Sequence, residues 1–367
     1  MQDRRTIHDS IYGSIELDES VSKIISTNEF QRLNTIKQLG FTYLVFPGAT
    51  HSRFEHSLGT YYLAREASTR LGLGEEEVAN VALAGLLHDI GHSPFSHSLE
   101  DAMTKIYGKD HLGVTIDIIE GRTPENEISD SIGDHKREIV KILKGEAGVL
   151  SRIISGNGDV DQIDYLARDS YYTGVALGAV DIPRILRVLS VENKEFCVEL
   201  KGLPSIEGLM VARMLMYRTV YRHKTSLIVS SLANDALKSM EPEYDDFVQW
   251  NDCDFMAQLK FKNPTIYHII KHRKIPKGVV VRRSESEFRE IVEGLDGSII
   301  SNQYFKSPFK NEILNVLDNG EIKPITDFSS IMIFLERELE GMGLLVYNND
   351  MEDHVKETLR KLDVPMQ

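Results

Sequence analysis

Apolar residues recur every three or four positions through most of the first 240 residues, and this helical period limits the fold more than any other feature of the sequence. The pattern is clear over residues 21–39, 52–71 and 75–89. The stretch from Ser205 to about Met240 contains no proline and predicts one long helix. This helix would carry four residues along one stripe, at spacings of four, four and three: Arg213, Tyr217, Tyr221 and Lys224. We therefore expect a mostly α-helical chain, built as an array of helices.

Short alternating segments predict strands within this helical chain. The N-terminal run RRTIHDSIYGSIELDES predicts a hairpin that turns at Tyr12-Gly13, and the run VLSVENKEFCVEL predicts a second one near Asn193-Lys194. The last hundred residues mix strand-like pieces with helices. We expect a helical core with an N-terminal β-hairpin over residues 1–240, and a small α+β lobe over residues 241–367 packed on that core.

Composition disfavours several classes of protein. The longest nearly apolar run, Val81–Leu87, is far shorter than the roughly 18 to 20 residues of a membrane span, and the N-terminus lacks a signal-peptide stretch. With only Cys197 and Cys253, we expect no disulfide framework and a cytoplasmic location. The chain has 42 basic and 56 acidic residues. The net charge of −14 disfavours nucleic acid across the whole surface but leaves a local basic pocket open.

Histidine is concentrated in one part of the chain. Seven of the 12 histidines lie within an 85-residue stretch that also contains acidic residues: His51, His56, His88, His92, His97, His111 and His135. Imidazole and carboxylate groups suit a borderline or hard divalent ion, and the lack of a nearby cysteine excludes a thiolate-bound structural zinc. His88 and Asp89 stand together at a predicted helix end, and His56 and Asp161 would arrive from separate helices. The pattern indicates a catalytic metal site.

Each of these residues also has an ordinary structural explanation. Alone, His56 is explained as a hydrogen-bonded helix residue, Asp161 as a first-turn residue favoured by the helix dipole, and His97 as a surface histidine. The neighbouring segments are small and apolar, as at Leu86-Leu87 and Gly91, where buried charge is costly unless it is paired or bound to metal. Taken together, the residues favour the metal site.

Four separated motifs occur in an order that resembles the HD-domain deoxynucleoside triphosphate (dNTP) triphosphohydrolases, particularly the type linked to a sterile-alpha-motif domain. The motifs are FPGATHSRFEHSLG, LLHDIGHSPFSH, GDVDQIDYLARDSYYTG and MYRTVYRHK. The resemblance extends from about Arg5 to Lys224, is weaker toward the end, and does not include a sterile-alpha-motif domain. It implies an HD-domain core that hydrolyses dNTPs to deoxynucleoside and inorganic triphosphate.

The resemblance also implies the residues of the reaction centre. Four match the family's metal ligands: His56, His88, Asp89 and Asp161. The ion would activate water for attack at the α-phosphorus. Four more match its acid–base group: His92, His97, Glu100 and His111. Glu100 replaces a family aspartate, and His111 would protonate the leaving 5′-oxygen. The ligand types accept iron, manganese, zinc, nickel or magnesium, and a further Mg²⁺ is compatible with the substrate phosphates.

A dNTP carries about four negative charges, so its pocket needs cations. The motifs supply three, which as isolated residues would be ordinary surface charges: Arg53, Arg213 and Lys224. Six further positions resemble residues that contact the sugar and phosphates: Gln38, Leu39, Tyr165, Asp169, Tyr217 and Tyr221. By resemblance, Gln38 and Leu39 crowd the 2′ and 3′ positions of the sugar and exclude ribose. Tyr217 stands where the family has a histidine.

The segment STNEFQRLNTIKQLG departs from the family. In the mammalian type, an aspartate, a glutamine and an arginine of this segment bind a guanine nucleotide activator between subunits. Gln31 matches here, but Ser26 and Asn34 occupy the other two positions, and Arg5 replaces a phosphate-binding lysine. We expect a nucleotide activator that binds through its phosphates without guanine selectivity, and a homo-oligomer, a tetramer by resemblance.

Two other functions stay open at this point. Another HD-domain phosphohydrolase, such as a nucleotidase or cyclic-nucleotide phosphodiesterase, would use the same metal-activated water, although Gln38, Tyr165, Asp169 and Tyr221 favour a dNTP. A nucleotide-sensing or single-stranded nucleic-acid-binding regulator would need a local basic groove, which the net charge disfavours.

Overall fold

A computed structural model gives the fold and describes residues 5–177, 180–295, 297–306, 314–338, 341–362 and 364. Its helices are α1 (Glu19–Ile25), α2 (Asn28–Gln31), α3 (Arg53–Arg70), α4 (Glu75–Leu87), α5 (Glu100–Tyr107), α6 (His111–Ile119), α7 (Glu127–Ile132), α8 (Lys136–Leu143), α9 (Val149–Ile154), α10 (Val160–Thr173), α11 (Ile182–Val188), α12 (Leu203–Met216), α13 (Lys224–Met240), α14 (Tyr244–Phe247), α15 (Asp252–Lys262), α16 (Pro264–Lys271), α17 (Glu285–Gly294), α18 (Ser330–Glu338) and α19 (Glu352–Lys361). Its strands are β1 (Arg5–Asp9), β2 (Gly13–Leu17), β3 (Leu189–Glu192), β4 (Glu195–Glu199), β5 (Lys277–Val281), β6 (Ser301–Phe305), β7 (Asn315–Asp318), β8 (Glu321–Pro324) and β9 (Met342–Tyr347). The prediction of a mostly helical fold is confirmed.

The N-terminal hairpin forms where the sequence predicts it. Strands β1 and β2 pair antiparallel with Ile7 opposite Ile15, and Gly13 takes the positive φ of 73° at the turn. Ile15 and Leu17 are buried and begin a hydrophobic core that continues through the helices. This shared core holds the hairpin against α3.

Helices α3 and α4 pack against each other and position the first functional residues. Ser52 begins α3 with a capping box, in which the Glu55 carboxylate accepts from the Ser52 N–H at 2.7 Å. Gly85 of α4 permits close packing, because a Cβ there would lie 3.0 Å from the carbonyl oxygen of Thr60. The second turn of α3 therefore lies beside the last turn of α4.

The stretch from Ser205 to Met240 is not the single helix that its sequence predicts. Helix α12 gives way to a π-helical turn at Tyr217–Tyr221, and α13 begins at Lys224 after a break at His223. No proline or glycine marks this break, so residue propensities give no signal for it. Because a π turn shifts the helical face, Lys224 does not continue the stripe that carries Arg213.

Two more sheets lie in the second part of the chain. Strands β5, β9 and β6 form an antiparallel sheet in that order. The predicted hairpin of β3 and β4 turns at Asn193-Lys194, both with positive φ, and β4 pairs in parallel with β7, which pairs with β8. Because β7 and β8 follow residue 241, this sheet joins the two parts that the sequence predicts as domains, and the division there stays a prediction.

A helix that crosses a lipid bilayer needs about 20 mostly apolar residues. No helix in the described ranges is long and apolar enough for this.

Candidate metal centre and active site

Three helix ends converge at one buried point. Helix α3 contributes Arg53 and His56 in its first turn, and α10 contributes Asp161 in its first turn. Helix α4 ends at His88, and Asp89 follows directly. The rings of His56 and His88 approach each other with centroids 5.2 Å apart. The fold thus brings together residues that are more than 100 positions apart in sequence.

The four predicted metal ligands face one another. The Nε2 atom of His56 lies 3.0 Å from an Asp161 oxygen and 3.4 Å from an Asp89 oxygen. The Nε2 atom of His88 lies 3.3 Å from the same Asp89 oxygen and 3.6 Å from the same Asp161 oxygen. Ligand atoms of His56, His88 and Asp161 all lie within 4.8 Å of one another. Two imidazoles and two carboxylates around one point match the ligand set of a catalytic divalent ion.

The remaining ring nitrogens fix the orientation of both imidazoles. The Nδ1 atom of His88 donates to the carbonyl oxygen of Gly85 at 2.8 Å, so its Nε2 lone pair faces the cluster. The Nδ1 atom of His56 lies 2.6 Å from the Asp164 carboxylate. Among the described residues, neither buried Nε2 atom has a hydrogen-bond partner. The residues therefore fit a divalent metal ion.

The charges of the cluster favour a cation at this point. Burial acts to lower the pKa of His56, but Asp161 and Asp164 outweigh it and raise that pKa to about 9. Burial acts to raise the pKa of Asp161, but His56 and His88 hold it well below its usual range. A divalent ion would satisfy the same carboxylates in place of the imidazole protons.

Arg168 holds Asp164 in position behind His56. Its Nε and Nη2 atoms donate to the two Asp164 oxygens at 2.9 Å each, and its Nη1 atom donates to Asp9 at 2.8 Å. Gly59 makes room for this pair, because a Cβ there would lie 1.9 Å from Asp164 Oδ1. The sequence analysis missed Asp164 and Arg168, although their four-residue spacing directly after Asp161 was an available signal.

The predicted acid–base residues form a second group. The Glu100 carboxylate lies 2.7 Å from Nδ1 of His97 and is also hydrogen-bonded to Nδ1 of His111. The His92 ring stacks on His111 with centroids 4.2 Å apart, and its Nε2 atom lies 3.2 Å from Asp89. Asp89 therefore joins this group to the metal ligands.

The two stacked imidazoles have opposite pKa shifts. Burial acts to lower the pKa of His111, but the hydrogen bond and charge of Glu100 outweigh it and raise that pKa. Burial, with the charges of Arg53 and His111, holds the pKa of His92 well below its usual value. The raised pKa favours the protonated form of His111 and the lowered pKa favours the neutral form of His92, so His111 is the better proton donor of the two. Ligand atoms of His92, His97 and His111 also lie within 4.8 Å of one another, a spacing that suits a cation.

Arg53 is buried between the metal ligands and the loop that follows α4. It donates to the Asp89 carboxylate and, through Nε, to the Ser96 hydroxyl at 2.7 Å. Among the described residues, its buried Nη2 atom has no hydrogen-bond partner. The predicted phosphate-binding cation therefore neutralises Asp89 and keeps one N–H group for a ligand.

One side of the cluster, here called the wall, is formed by five residues of α10, α12 and the π turn: Tyr165, Asp169, Arg213, Tyr217 and Tyr221. Asp161, Tyr165 and Asp169 stand four residues apart on one face of α10, which packs against α12. The Arg213 guanidinium of α12 lies 5.8 Å from the ring centroid of Tyr217. Burial acts to lower the pKa of Arg213, but the nearby Tyr165, Tyr217 and Asp159 outweigh it and raise that pKa, so the predicted phosphate-binding arginine lies on the same side of the cluster as Tyr165.

Asp169 is the centre of a hydrogen-bond network on this wall. The Tyr221 hydroxyl donates to one Asp169 oxygen at 2.7 Å, and Nε2 of His51 lies 2.8 Å from the other. His51 belongs to the histidine-rich stretch, but nothing in the sequence shows that it reaches α10. The ring of Tyr221 also approaches Tyr165 and Tyr217, with centroids 6.1 and 4.9 Å away.

The remaining predicted substrate residues fall into two groups. Gln38 is buried, its Oε1 atom has no hydrogen-bond partner among the described residues, and Leu39 beside it is half-buried. The backbone N–H of Gln38 donates to the carbonyl oxygen of His51 at 3.0 Å, which places the Gln38-Leu39 pair next to the wall. Lys224 is exposed at the first residue of α13 and does not continue the helical stripe of Arg213, and its role in binding phosphate stays a prediction.

The predicted activator residues lie on the surface. The Asn34 side chain donates to Gln31 at 3.1 Å, and Gln31 donates to the carbonyl oxygen of Ile25 at 2.7 Å. Arg5 is exposed on β1, and no hydrogen bond or ion pair of the described residues joins it to Gln31 or Asn34. Ser26 ends α1, and its hydroxyl donates to the carbonyl oxygen of Ser22 at 2.8 Å. The activator site therefore stays a prediction.

The fold and the cluster define the class as metal-dependent phosphohydrolase. Two family models match the chain: the HD domain over residues 53–169 and the HD associated region over residues 180–301. An uncharacterised protein of Methanocaldococcus jannaschii is 31% identical, and the alignment covers 99% of this chain and 85% of that protein. The chain belongs to the HD-domain phosphohydrolases that carry an HD-associated region.

Solved structures support the same fold. A phosphohydrolase from Bacteroides thetaiotaomicron VPI-5482 matches with a TM-score of 0.80 and 28% identity, covering 95% of this chain and 100% of that one. A hypothetical protein from Aquifex aeolicus matches with a TM-score of 0.82 and 28% identity, covering 97% of this chain and 100% of that one. Both matches extend through the C-terminal sheets, so the predicted HD architecture is confirmed.

Named dNTPases are similar to part of the chain. The Dictyostelium discoideum homologue of deoxynucleoside triphosphate triphosphohydrolase SAMHD1 is 32% identical, and the Homo sapiens SAMHD1 is 33% identical. The alignments cover 68% and 67% of this chain but 51% and 45% of those proteins. The chain thus spans about half the length of these dNTPases.

Proposed function

We propose that this HD-domain phosphohydrolase hydrolyses dNTPs to deoxynucleoside and inorganic triphosphate. The observation that carries the proposal is the wall of Tyr165, Asp169, Tyr221 and Arg213 beside the metal cluster. A generic phosphatase needs only the metal and a proton donor, whereas this wall offers aromatic rings, a carboxylate and a cation to a sugar and its phosphates. The similarity to named dNTPases supports the same substrate class.

The metal ligands act by position and charge. His56, His88, Asp89 and Asp161 would hold the divalent ion, which as a Lewis acid lowers the pKa of a bound water and polarises a phosphoryl oxygen. Asp164 and Gly85 keep the two Nε2 atoms directed at that point, because each accepts a hydrogen bond from the opposite ring nitrogen. These four ligands are compatible with iron, manganese, zinc, nickel and magnesium. A further Mg²⁺ would accompany the substrate phosphates.

Two arginines bind the negative charge of the triphosphate. Arg53 is buried beside Asp89 and keeps its Nη2 for a phosphoryl oxygen. Arg213 stands on the wall, and its guanidinium is held by Asn157 at 3.2 Å and by the ring of Tyr217. Because both guanidinium groups are held in place, they meet the phosphates with little loss of side-chain entropy.

His111 supplies the proton for the leaving 5′-oxygen. Glu100 raises its pKa and orients it through Nδ1, so the proton on Nε2 is available to the substrate. His97 shares the same carboxylate, and His92 stacks on the His111 ring. His92 and His97 therefore position His111 and relay protons around it.

The sugar is recognised on the opposite side of the site. The Tyr221 hydroxyl and the Asp169 carboxylate form a hydrogen-bonded pair that the 3′-hydroxyl would join. Gln38 and Leu39 would crowd the 2′ position, so ribonucleotides would bind poorly. The unpartnered Oε1 of Gln38 is the polar atom available to the sugar.

A nucleotide activator and a homo-tetramer complete the proposed function. Gln31 and Asn34 form a hydrogen-bonded pair on the surface and would contact the activator, and the exposed Arg5 of β1 would bind its phosphates. The division into a catalytic core at residues 1–240 and a C-terminal lobe at residues 241–367 belongs to the same proposal. Measuring dNTP hydrolysis with each NTP and dNTP as activator tests it, and strict dependence on GTP would contradict the loss of guanine selectivity.

Product analysis tests the reaction itself. Purified protein is incubated with each dNTP and NTP across a panel of metals, and products are separated by chromatography beside a His88→Ala/Asp89→Ala variant. We expect deoxynucleoside and intact triphosphate from the wild type and no product from the variant. Monophosphate or diphosphate as the product would instead favour a nucleotidase or phosphodiesterase at the same metal site.

A further inference from the structure

The acidic chain contains one strongly basic segment. Residues 260–283 hold five lysines and three arginines and no acidic residue, so they carry +8 while the rest of the chain carries −22. Within the described chain, five of these cations form no hydrogen bond or ion pair with a carboxylate: Lys260, Lys262, Lys271, Arg273 and Lys274. A concentrated charge without partners marks a surface that can attract a polyanion.

The exposed residues in the first part of this segment are here called the basic strip. It consists of Lys260, Phe261, Lys262, His268, Lys271, His272, Arg273 and Lys274, all exposed. Helix α15 ends in the first three, and α16 presents His268, Lys271 and His272 three and four positions apart on one face. The strip therefore continues from one helix end along the next helix.

The opposite face of α16 anchors the strip to the core. Ile270 is buried in the main hydrophobic core, and Ile266 and Ile269 pack in a cluster with Leu227 of α13 and Val280 of β5. Helix α16 also contacts α15 and α13. The exposed cations therefore stand on a fixed platform, which keeps the entropic cost of binding low.

Aromatic rings stand among the cations. The Phe261 side chain is 79% exposed between Lys260 and Lys262. A ligand that covers this ring would remove apolar surface from water, which is favourable. The rings of His268 and His272 are stacked, with centroids 5.4 Å apart and planes at 13°. Flat rings beside lysine and arginine are the elements that bind bases and phosphates of single strands.

We propose that the basic strip binds single-stranded nucleic acid, with phosphates on the five cations and a base stacked on Phe261. Helix dipoles account for lysines in the last turn of a helix, but not for Arg273 and Lys274, which follow α16. An acidic protein would contact the cations but would not stack on the exposed rings. A membrane surface would need an apolar stripe on α16, whose exposed face is polar.

Salt-dependent binding provides the first test. Fluorescence anisotropy of labelled (dT)20 and (U)20 is measured with the full chain from 50 to 300 mM NaCl. If five phosphates are neutralised, the plot of log K against log salt has a slope of roughly −3.5. Absence of binding at 50 mM NaCl overturns the proposal.

Substitutions then locate the binding site. Lys271→Gln/Arg273→Gln/Lys274→Gln removes three cations and should reduce the magnitude of the slope by about 2. Phe261→Ala should weaken binding at least about fivefold through the lost stacking. The matched control Lys194→Gln/Lys201→Gln/Lys323→Gln removes three exposed lysines from the β3–β4 turn, from the segment after β4 and from β8, and should leave affinity unchanged.

Two competing ligands separate the alternatives. Poly-glutamate and phosphatidylserine vesicles are offered to the wild type and the Phe261→Ala variant at equal charge. We expect both to bind more weakly than the oligonucleotides. Equal binding of either ligand, with no effect of Phe261→Ala on (dT)20, overturns the proposal in favour of an acidic protein or a membrane. Oligonucleotide binding that is unchanged in the triple variant also overturns it.

Discussion

The metal cluster and the acid–base group share Asp89 but are held in different ways. In the metal cluster, the His56 and Asp89 side chains are almost fully buried, Asp161 is 33% exposed, and a second polar group holds each histidine through Nδ1. In the acid–base group, His92 is buried, but the His97 side chain is 65% exposed and His111 is 30% exposed. Histidines that are braced through Nδ1 suit an ion that must stay in place, whereas the exposed His97 lets the acid–base group exchange protons with water. Substitutions in the metal cluster and in the acid–base group are thus expected to have different effects on metal content and activity.

Removing a metal ligand gives the largest expected effect. Asp161→Asn takes one negative oxygen from the cluster and should lower both metal content and activity, the latter by at least about 10³-fold because the ion supplies several kcal/mol. Metal analysis of the purified protein and initial rates measure the two effects. Full activity with a normal metal content would show that Asp161 is not a ligand.

Removing the proton donor should separate the two halves of the site. His111→Ala should lower kcat by about 10² to 10⁴-fold through loss of general acid catalysis, while metal content at the His56 cluster stays normal. His97→Ala, on the exposed side of Glu100, is the matched control and should cost less. A His111→Ala variant that loses its metal would mean that the two groups form one metal site.

The residue behind the metal ligand tests the bracing. Asp164→Asn leaves all four ligands present but weakens the hold on His56 Nδ1, and should lower metal affinity about 10 to 100-fold in chelator competition. Because Arg168 then loses part of its buried partner, stability also falls. The control Asp117→Asn removes another buried, cation-paired carboxylate and should lower stability without changing metal affinity. Equal metal affinity in both variants would contradict a positioning role.

The dependence of kcat on pH tests the acid–base group with a smaller expected effect. Because Glu100 raises the pKa of His111 against the effect of burial, the protonated acid persists to higher pH, and activity is lost as pH rises through that pKa. Glu100→Gln removes the charge, so the falling limb of kcat against pH should move to lower pH. A limb that stays in place would assign it to another group.

The sequence predicted this arrangement unevenly, for physical reasons. Motifs identified His56, His88, Asp89 and Asp161 because ligands at helix ends leave a local signature. The π turn at Tyr217–Tyr221 was missed, since it arises from packing and no residue type demands it.

The residues that brace the ligands were harder to find. Arg168 and His51 act across long sequence separations, on Asp9 and Asp169, which a single sequence does not pair. Gly59 likewise matters only because Asp164 packs against it. The sequence therefore predicts the candidate metal ligands and acid–base residues, and the structure adds the residues that hold them in place.

The smallest expected effect lies on the wall, where this chain has Tyr217 instead of the family histidine. Tyr217→His removes the ring that faces Arg213, an interaction of about 0.5 to 1 kcal/mol, so KM for dNTPs should change by no more than roughly fivefold. An added imidazolium would favour the phosphates below its pKa, so KM should be lower at pH 6 than at pH 8. Tyr217→Phe keeps the ring and should show no such pH dependence. A large fall in kcat in either variant would mean that Tyr217 takes part in the reaction and does more than line the phosphate pocket.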